Sequence, residues 1–311
     1  MKNFITKSRF IIKITIPLML ILLYPKLINC QTVILHSPFK QISHYQTNSD
    51  NLQSNGKSNI EEEWYDNGQL KSQVKLKNGL PSGKMKVWFD NGILQLQLKY
   101  KNGLLHGKQK EFYPTGKIKK MSKFKSDKKE GKQIEWHKNG KKKRVLHYMS
   151  DLKDGMQFEW YRNGQLKSKG DWGKNKMEGL WQKWFENGNK QGEIKLINGR
   201  PDGIQIEWFE NGNFKKRGAY AKGARDGIWT MWYKNGNKRG ETTLSNGRPD
   251  GLAKEWYSNG SLKNEGYFID GARIGPWKYW TENKELQKIE FYEKGRLRNT
   301  EYLLRKKRPV K

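Results

Sequence analysis

Large apolar residues return along this chain every 24 positions. Trp64, Trp88, Phe112, Trp136, Trp160, Trp184, Trp208, Trp232, Trp256 and Trp280 form an unbroken aromatic series. The next residue is usually aromatic as well (Tyr65, Phe89, Tyr113, Tyr161, Phe185, Phe209, Tyr233, Tyr257), with His137 and Thr281 as exceptions. Twelve positions after each Trp stands another large side chain: Leu76, Tyr100, Phe124, Tyr148, Trp172, Leu196, Tyr220, Leu244, Phe268 and Tyr292. Mostly polar residues and two glycine series fill the intervals. One follows the Trp by four positions: Gly68, Gly92, Gly116, Gly140, Gly164, Gly188, Gly212, Gly236 and Gly260, broken at Lys284. The other follows by nineteen, from Gly83 to Gly275, and ends at Asn299. Ten copies in constant register define a repeat architecture over residues 60–304.

Each unit reads as a β-hairpin. A short strand such as Lys84–Phe89 runs into Asp90-Asn91-Gly92, which suits a two-residue type I′ turn. A longer strand ends near Tyr100, and a loop with Asn102, Gly103 and Gly107 returns the chain. The second glycine is expected where a side chain would strain the backbone. The expected fold is all-β: an elongated, single-layer antiparallel meander of about ten hairpins. With no second layer, aromatic pairs between neighbouring units must supply stability. Successive side chains alternate, so the Trp series and its neighbours face opposite sides of the sheet.

The segments EWYDNG, EWYRNG, KWFENG, EWFENG, MWYKNG and EWYSNG, each followed by an apolar residue and a second Asn-Gly, resemble the MORN repeat in its bacterial variant form. The resemblance implies a non-enzymatic protein. It also implies acidic phospholipid contact, protein binding along an aromatic groove, scaffolding, or the antitoxin or immunity role attached to some members.

Composition agrees with a fold built on aromatics. The chain has 311 residues, a formal net charge of +31, 34% hydrophobic content and 13% aromatic content. Such charge with so few aliphatics marks disorder unless another apolar source compensates. A single cysteine excludes an internal disulfide framework, and the five scattered histidines share no metal-ligand spacing. No nucleophile, phosphate-loop or zinc-protease motif occurs, so neither a catalytic site nor a cofactor is expected.

Positive charge concentrates at residues 99–144, where 17 basic residues meet four acidic ones. Lys119, Lys120, Lys123, Lys125, Lys141, Lys142, Lys143 and Arg144 form the candidate anion-binding patch. Its expected partners are anionic lipid, lipopolysaccharide or acidic glycan; nucleic acid fits an exported chain poorly. In seven units a cation follows the Trp by seven positions (Lys71, Lys119, Lys143, Lys167, Lys215, Arg239, Lys263). Pairing through a two-residue turn would set it opposite the ring, for cation–π contact.

The N-terminus carries Lys2, Lys7, Arg9 and Lys13, then an apolar stretch, Ile14 to Tyr24, closed by Lys26. This is the layout of an export signal over residues 1–30. Cys30 is placed either to become a lipidated N-terminus or to flank an ordinary cleavage site. Residues 31–59 read as a polar linker and 305–311 as a basic tail. The reading that emerges is an exported repeat protein. It would bind or scaffold a protein or glycan partner at the cell envelope, and its sheet edges could join copies of the chain.

Overall fold

A computed structural model describes residues 58–303. The expected signal segment, Cys30 and the basic tail lie outside the described residues, as does the linker except Ser58 and Asn59, which open the first strand, Ser58–Trp64.

The described chain is one open antiparallel sheet in which each strand pairs with its sequence neighbours. The first hairpin joins Ser58–Trp64 to Leu70–Lys77. The second joins Leu80–Trp88 to Leu94–Lys101, and the tenth joins Ala272–Trp280 to Leu286–Glu293. A further strand, Arg296–Tyr302, ends the series as half of an eleventh unit.

The two turn types sit at the opposite edges from those expected. Asn-Gly pairs such as Asn78-Gly79 and Asn102-Gly103 form the two-residue turns, with both residues at positive φ, as type I′ requires. The Trp-side turns are three-residue loops. In Tyr65–Gln69, Gly68 N–H donates to Tyr65 C=O and Tyr65 N–H donates to Gln69 C=O. Only Gly68 has positive φ in that loop. This is a type I turn closed by a left-handed glycine, and the dipeptide alone does not separate it from type I′. Asn67 accepts from Gln69 N–H through its own Oδ1 and donates through Nδ2 to Asp90 C=O in the next unit. Tyr65 Oη–H likewise donates to Trp88 C=O. Repeated unit after unit, these side chains lace the turns into one edge.

The turn-forming loop leaves a register break before each Trp: Glu63 pairs with Ser72, but Trp64 pairs with Leu70. Lys71 is therefore the extra residue of a bulge, not the partner of Trp64. This overturns the expected Lys–Trp stacking. Lys71 Nζ lies 2.5 Å from Glu63 and 5.7 Å from the Tyr65 ring centre. Lys167 and Lys263 repeat the contact with Tyr161 and Tyr257. The second glycine series marks another break, between Val74–Met85 and Leu76–Pro81, with Gly83 at φ +83°. Its expected role in a strained backbone position is met.

One face of the sheet carries the buried row. Val74, Met85 and Leu98 pair across successive strands, and Met85 is 1% exposed. Farther along, Trp181, Trp229 and Trp277 occupy the same row, each over a glycine of the preceding strand. A Cβ on Gly170, Gly218 or Gly266 would collide with that indole. Each Trp also meets a twelve-position aromatic edge-on: Trp172–Trp181 at 5.4 Å, Tyr220–Trp229 at 5.1 Å and Phe268–Trp277 at 5.0 Å. Its indole N–H donates to a backbone carbonyl of the same neighbouring strand. These tryptophans stand outside the 24-residue series and recur every 48 residues, each eleven after its glycine. That spacing was the available signal for them.

The row ends in a polar cap. Glu290 faces Trp277 and accepts from Lys288 Nζ at 2.5 Å and Tyr292 Oη at 2.8 Å. Burial works to raise the Glu290 pKa, but hydrogen bonds from Lys288, Tyr279 and Tyr292 outweigh it and hold the carboxyl below its ordinary value. Arg273 stacks on Trp277 at 4.2 Å and donates to the Tyr279 and Tyr292 hydroxyls.

Three outcomes are expected. Gly218→Ala should lower stability by about 2 kcal/mol through overpacking against Trp229, and Gly218→Ala with Trp229→Leu should recover part of it; urea unfolding checks both. Lys284 occupies the left-handed turn position at φ +67°. Lys284→Gly should therefore raise stability by about 1 kcal/mol. A depressed carboxyl stabilises above its unfolded pKa and loses that contribution as pH falls through the folded value. Glu290→Gln should thus lower the urea midpoint at pH 7 and narrow its gap to wild type in acid.

Candidate binding face

The 24-residue Trp series lies on the face opposite the buried row, because Lys84, Lys86 and Trp88 alternate with Gly83, Met85 and Val87. Along this face each Trp pairs with the residue six positions on: Trp88 with Leu94, Phe112 with Ile118, Trp160 with Leu166, Trp208 with Phe214. That residue also approaches the Trp of the next unit. Phe214 lies 6.0 Å from Trp208 and 5.4 Å from Trp232, while Lys190 and Lys238 each stand 5.4 Å over Trp208 and Trp256. The result is an aromatic stripe across the strands. Trp136, Trp184 and Trp280 are half-buried within it; Trp64, at the free edge, is 56% exposed and Phe214 is 44% exposed.

The nine turn glycines, Gly68 to Gly260, all adopt positive φ and hold the loops beside this stripe. Where unit four meets unit five, Lys141, Lys142, Trp160, Asn163, Gly164 and Gln165 line an open depression of about 540 Å³. Lys141 Nζ donates to Asn163 C=O there, 2.5 Å away.

The structure divides the eight expected patch residues between the two faces. Lys120 and Arg144 lie on the buried-row face, in a ladder of alternating sign: Glu111, Lys120, Glu135, Arg144, Glu159. Arg144 holds both oxygens of Glu135, at 2.9 and 3.2 Å. Burial is the main cause lowering the Lys120 pKa; Glu135 and Glu111 oppose it. Lys119, a bulge residue, pairs with Glu111 at 2.6 Å. Lys125 and Lys143 are exposed, and Lys125 borders the turn at Ser126-Asp127.

Lys123 belongs to a different set, on the Trp-bearing face. Lys84 pairs directly with Lys99, Lys108 with Lys123, and Lys132 with His147. A linear charge count cannot see this row, because sequence neighbours alternate between faces. In the later units alternate positions of the same row turn apolar: Leu180, Ile204, Ile228 and Leu252 pair with Lys195, Ala219, Thr243 and Tyr267, and Ile228 is 60% exposed. Among the described residues there is no cluster of metal-ligating groups and no helix long and apolar enough to cross a membrane.

The ladder sets an expectation of its own. Glu135→Ala leaves Lys120 and Arg144 facing each other partly buried and should lower stability by about 2 kcal/mol. Adding Lys120→Met to that variant should restore most of it, as measured by urea unfolding.

The MORN repeat variant family model matches eight segments: 57–78, 81–102, 105–126, 129–149, 153–172, 177–198, 225–246 and 249–270. Each match frames one hairpin. The hairpins at Arg200–Ala221 and Ala272–Glu293 fall outside the matches yet keep the same turns and bulges. No curated protein matches the chain. Among solved structures, "Crystal Structure of TcdB2-TccC3" is similar at 8% identity and a TM-score of 0.20, over 76% of this chain and 17% of that one. "Crystal Structure of TcdB2-TccC3-Cdc42" is similar at 9% identity and a TM-score of 0.17, with the same coverage. With more than half of its length matched, hairpin for hairpin, the chain belongs to the MORN repeat variant family and is a non-enzymatic repeat scaffold.

Proposed function

We propose that the chain is an exported scaffold that holds a protein or glycan partner at the cell envelope through its Trp-bearing face. The observation that carries this reading is the pairing, on one exposed face, of a continuous aromatic stripe with a row of lysines. Aromatic side chains offer contact area at little entropic cost, and solvated cations beside them attract anionic partners. The basic, then apolar, N-terminal segment supports export. Anchoring through a lipidated Cys30 would keep the ribbon at the surface.

The test uses substitutions the fold already accepts. Lys142, Lys190 and Lys238 stand where other units carry Leu94, Leu166, Phe214 and Leu262. A variant with Leu94→Lys, Leu166→Lys, Phe214→Lys and Leu262→Lys should fold normally by circular dichroism. It should recover at least tenfold less partner from an envelope fraction than the wild type. Equal recovery would exclude the aromatic stripe as the binding element. Intact mass of the native N-terminus reads export and anchoring: a lipid-modified Cys30 supports the anchor, and an uncleaved Met1 refutes export by signal cleavage.

A further inference from the structure

We propose that the lysine row of the first half is a binding track for a linear acidic polysaccharide, laid across the strands. The proposal rests on the reading of an envelope scaffold and names the ligand class of one part of its face.

The row comprises Lys75, Lys84, Lys99, Lys108, Lys123 and Lys132, closed by His147. All six lysines are exposed, and none makes an ion pair or side-chain hydrogen bond among the described residues. His147 Nδ1–H donates to Met156 C=O at 2.7 Å, leaving the other ring edge as the row's last polar group. No carboxylate enters the row over these units. Like charges directly opposite one another in a sheet are destabilising, so two Lys–Lys pairs in succession are a cost the fold carries.

Composition does not account for this. On the other face of the same strands, a row built with the same period alternates sign: Glu111, Lys120, Glu135, Arg144, Glu159. One row neutralises itself and the other excludes every acid. Bulge glycines lie beneath the lysine stems: the Lys99 stem passes over Gly107, where a Cβ would press against it, and the Lys123 stem passes over Gly131.

The geometry selects the ligand. The row crosses seven neighbouring strands at about 4.8 Å each, so it spans about 29 Å; on five of them a second lysine of the same face (Lys77, Lys86, Lys101, Lys110 or Lys125) stands two residues away, which makes a band two lysines wide. A linear polyanion with a carboxylate on each sugar meets one ammonium per strand. A flat anionic membrane would use a field of cations broad in both directions, not a band two lysines wide. A nucleic-acid strand would use aromatics interleaved with the cations, and this row holds none besides His147; the Trp stripe is set apart by Lys86, Gln97, Lys110, Met121 and Ile134. Neutralising several charges of a polyanion releases its counterions, so the binding must weaken steeply with salt.

The experiment measures binding of the full chain to oligogalacturonates of graded length, at two salt concentrations. Affinity should climb with length until the oligomer spans the row, then level off. A five-site variant (Lys84→Gln, Lys99→Gln, Lys108→Gln, Lys123→Gln, Lys132→Gln) should lose at least tenfold. A control losing five exposed charges in the turns (Lys117→Gln, Lys138→Gln, Lys174→Gln, Lys222→Gln, Lys234→Gln) should change less than threefold. Circular dichroism confirms that both are folded. Equal losses in the two variants, or equal affinity for galacturonic acid itself, would overturn the track. So would tighter binding to oligothymidylate of matched charge, or row-dependent binding to phosphatidylglycerol vesicles without oligogalacturonate binding. The Leu/Phe→Lys variant of the aromatic stripe should keep oligogalacturonate affinity, so a failure of the envelope scaffold and a failure of the track read out separately.

Discussion

Register is the constraint on which this molecule depends. In a one-layer sheet, a slip of a single residue would send every core side chain to solvent. Here no strand can slip alone, because each edge is closed by a turn of defined length. One edge uses two residues at positive φ, Asn78-Gly79 and its counterparts; the other uses a three-residue loop ended by a left-handed glycine. Two register breaks recur in nearly every unit, one before the Trp and one at the second glycine. Bulges of this kind strengthen the local twist. The turns thus fix which residues share a face, and only then do burial and charge acquire a pattern.

With the register set, the two faces divide the labour. One face buries Met85, Trp181, Trp229 and Trp277 between strand neighbours, bordered by the twelve-position aromatics and by the Glu–Lys–Glu–Arg ladder. Tryptophan fits there only because glycine stands opposite. The other face keeps its Trp series half-exposed and the six lysines of its first-half row exposed. A sheet without a second layer need hide only one face, and the remaining face is free to meet a partner.

Much of this architecture was legible in the sequence. The Trp period and both glycine series located the strands and the places where the backbone turns. Turn type was not legible from Asn-Gly alone, since that dipeptide occurs at both edges and the choice lies in one extra residue, Asp66 or Asp90. That residue also displaced Lys71 from its expected seat beside Trp64 and into a bulge. The charge at 99–144 was visible as a sum. Its division into a self-neutralising ladder and an acid-free row was not, because Lys119, Lys120 and Lys123 are near neighbours in sequence and belong to three different environments. Trp181, Trp229 and Trp277 were present as surplus tryptophans, but their role needs the cross-strand glycine, eleven residues away and adjacent only after folding.

That Trp-over-glycine packing has a consequence for how the chain can change length. Excision of one hairpin, residues 200–223, would bring Ile194 beneath Trp229, where only a glycine leaves room for the indole. Excision of two, residues 176–223, would bring Gly170 there and reproduce the existing fit. Excision of residues 176–199 instead removes Trp181 with its hairpin, sets Gln205 opposite Gly170 and leaves Gly218 beneath Trp229. Length variation here depends on which hairpin is cut, because each of these tryptophans must keep a glycine on the strand before it, a rule written by packing and not by the turns.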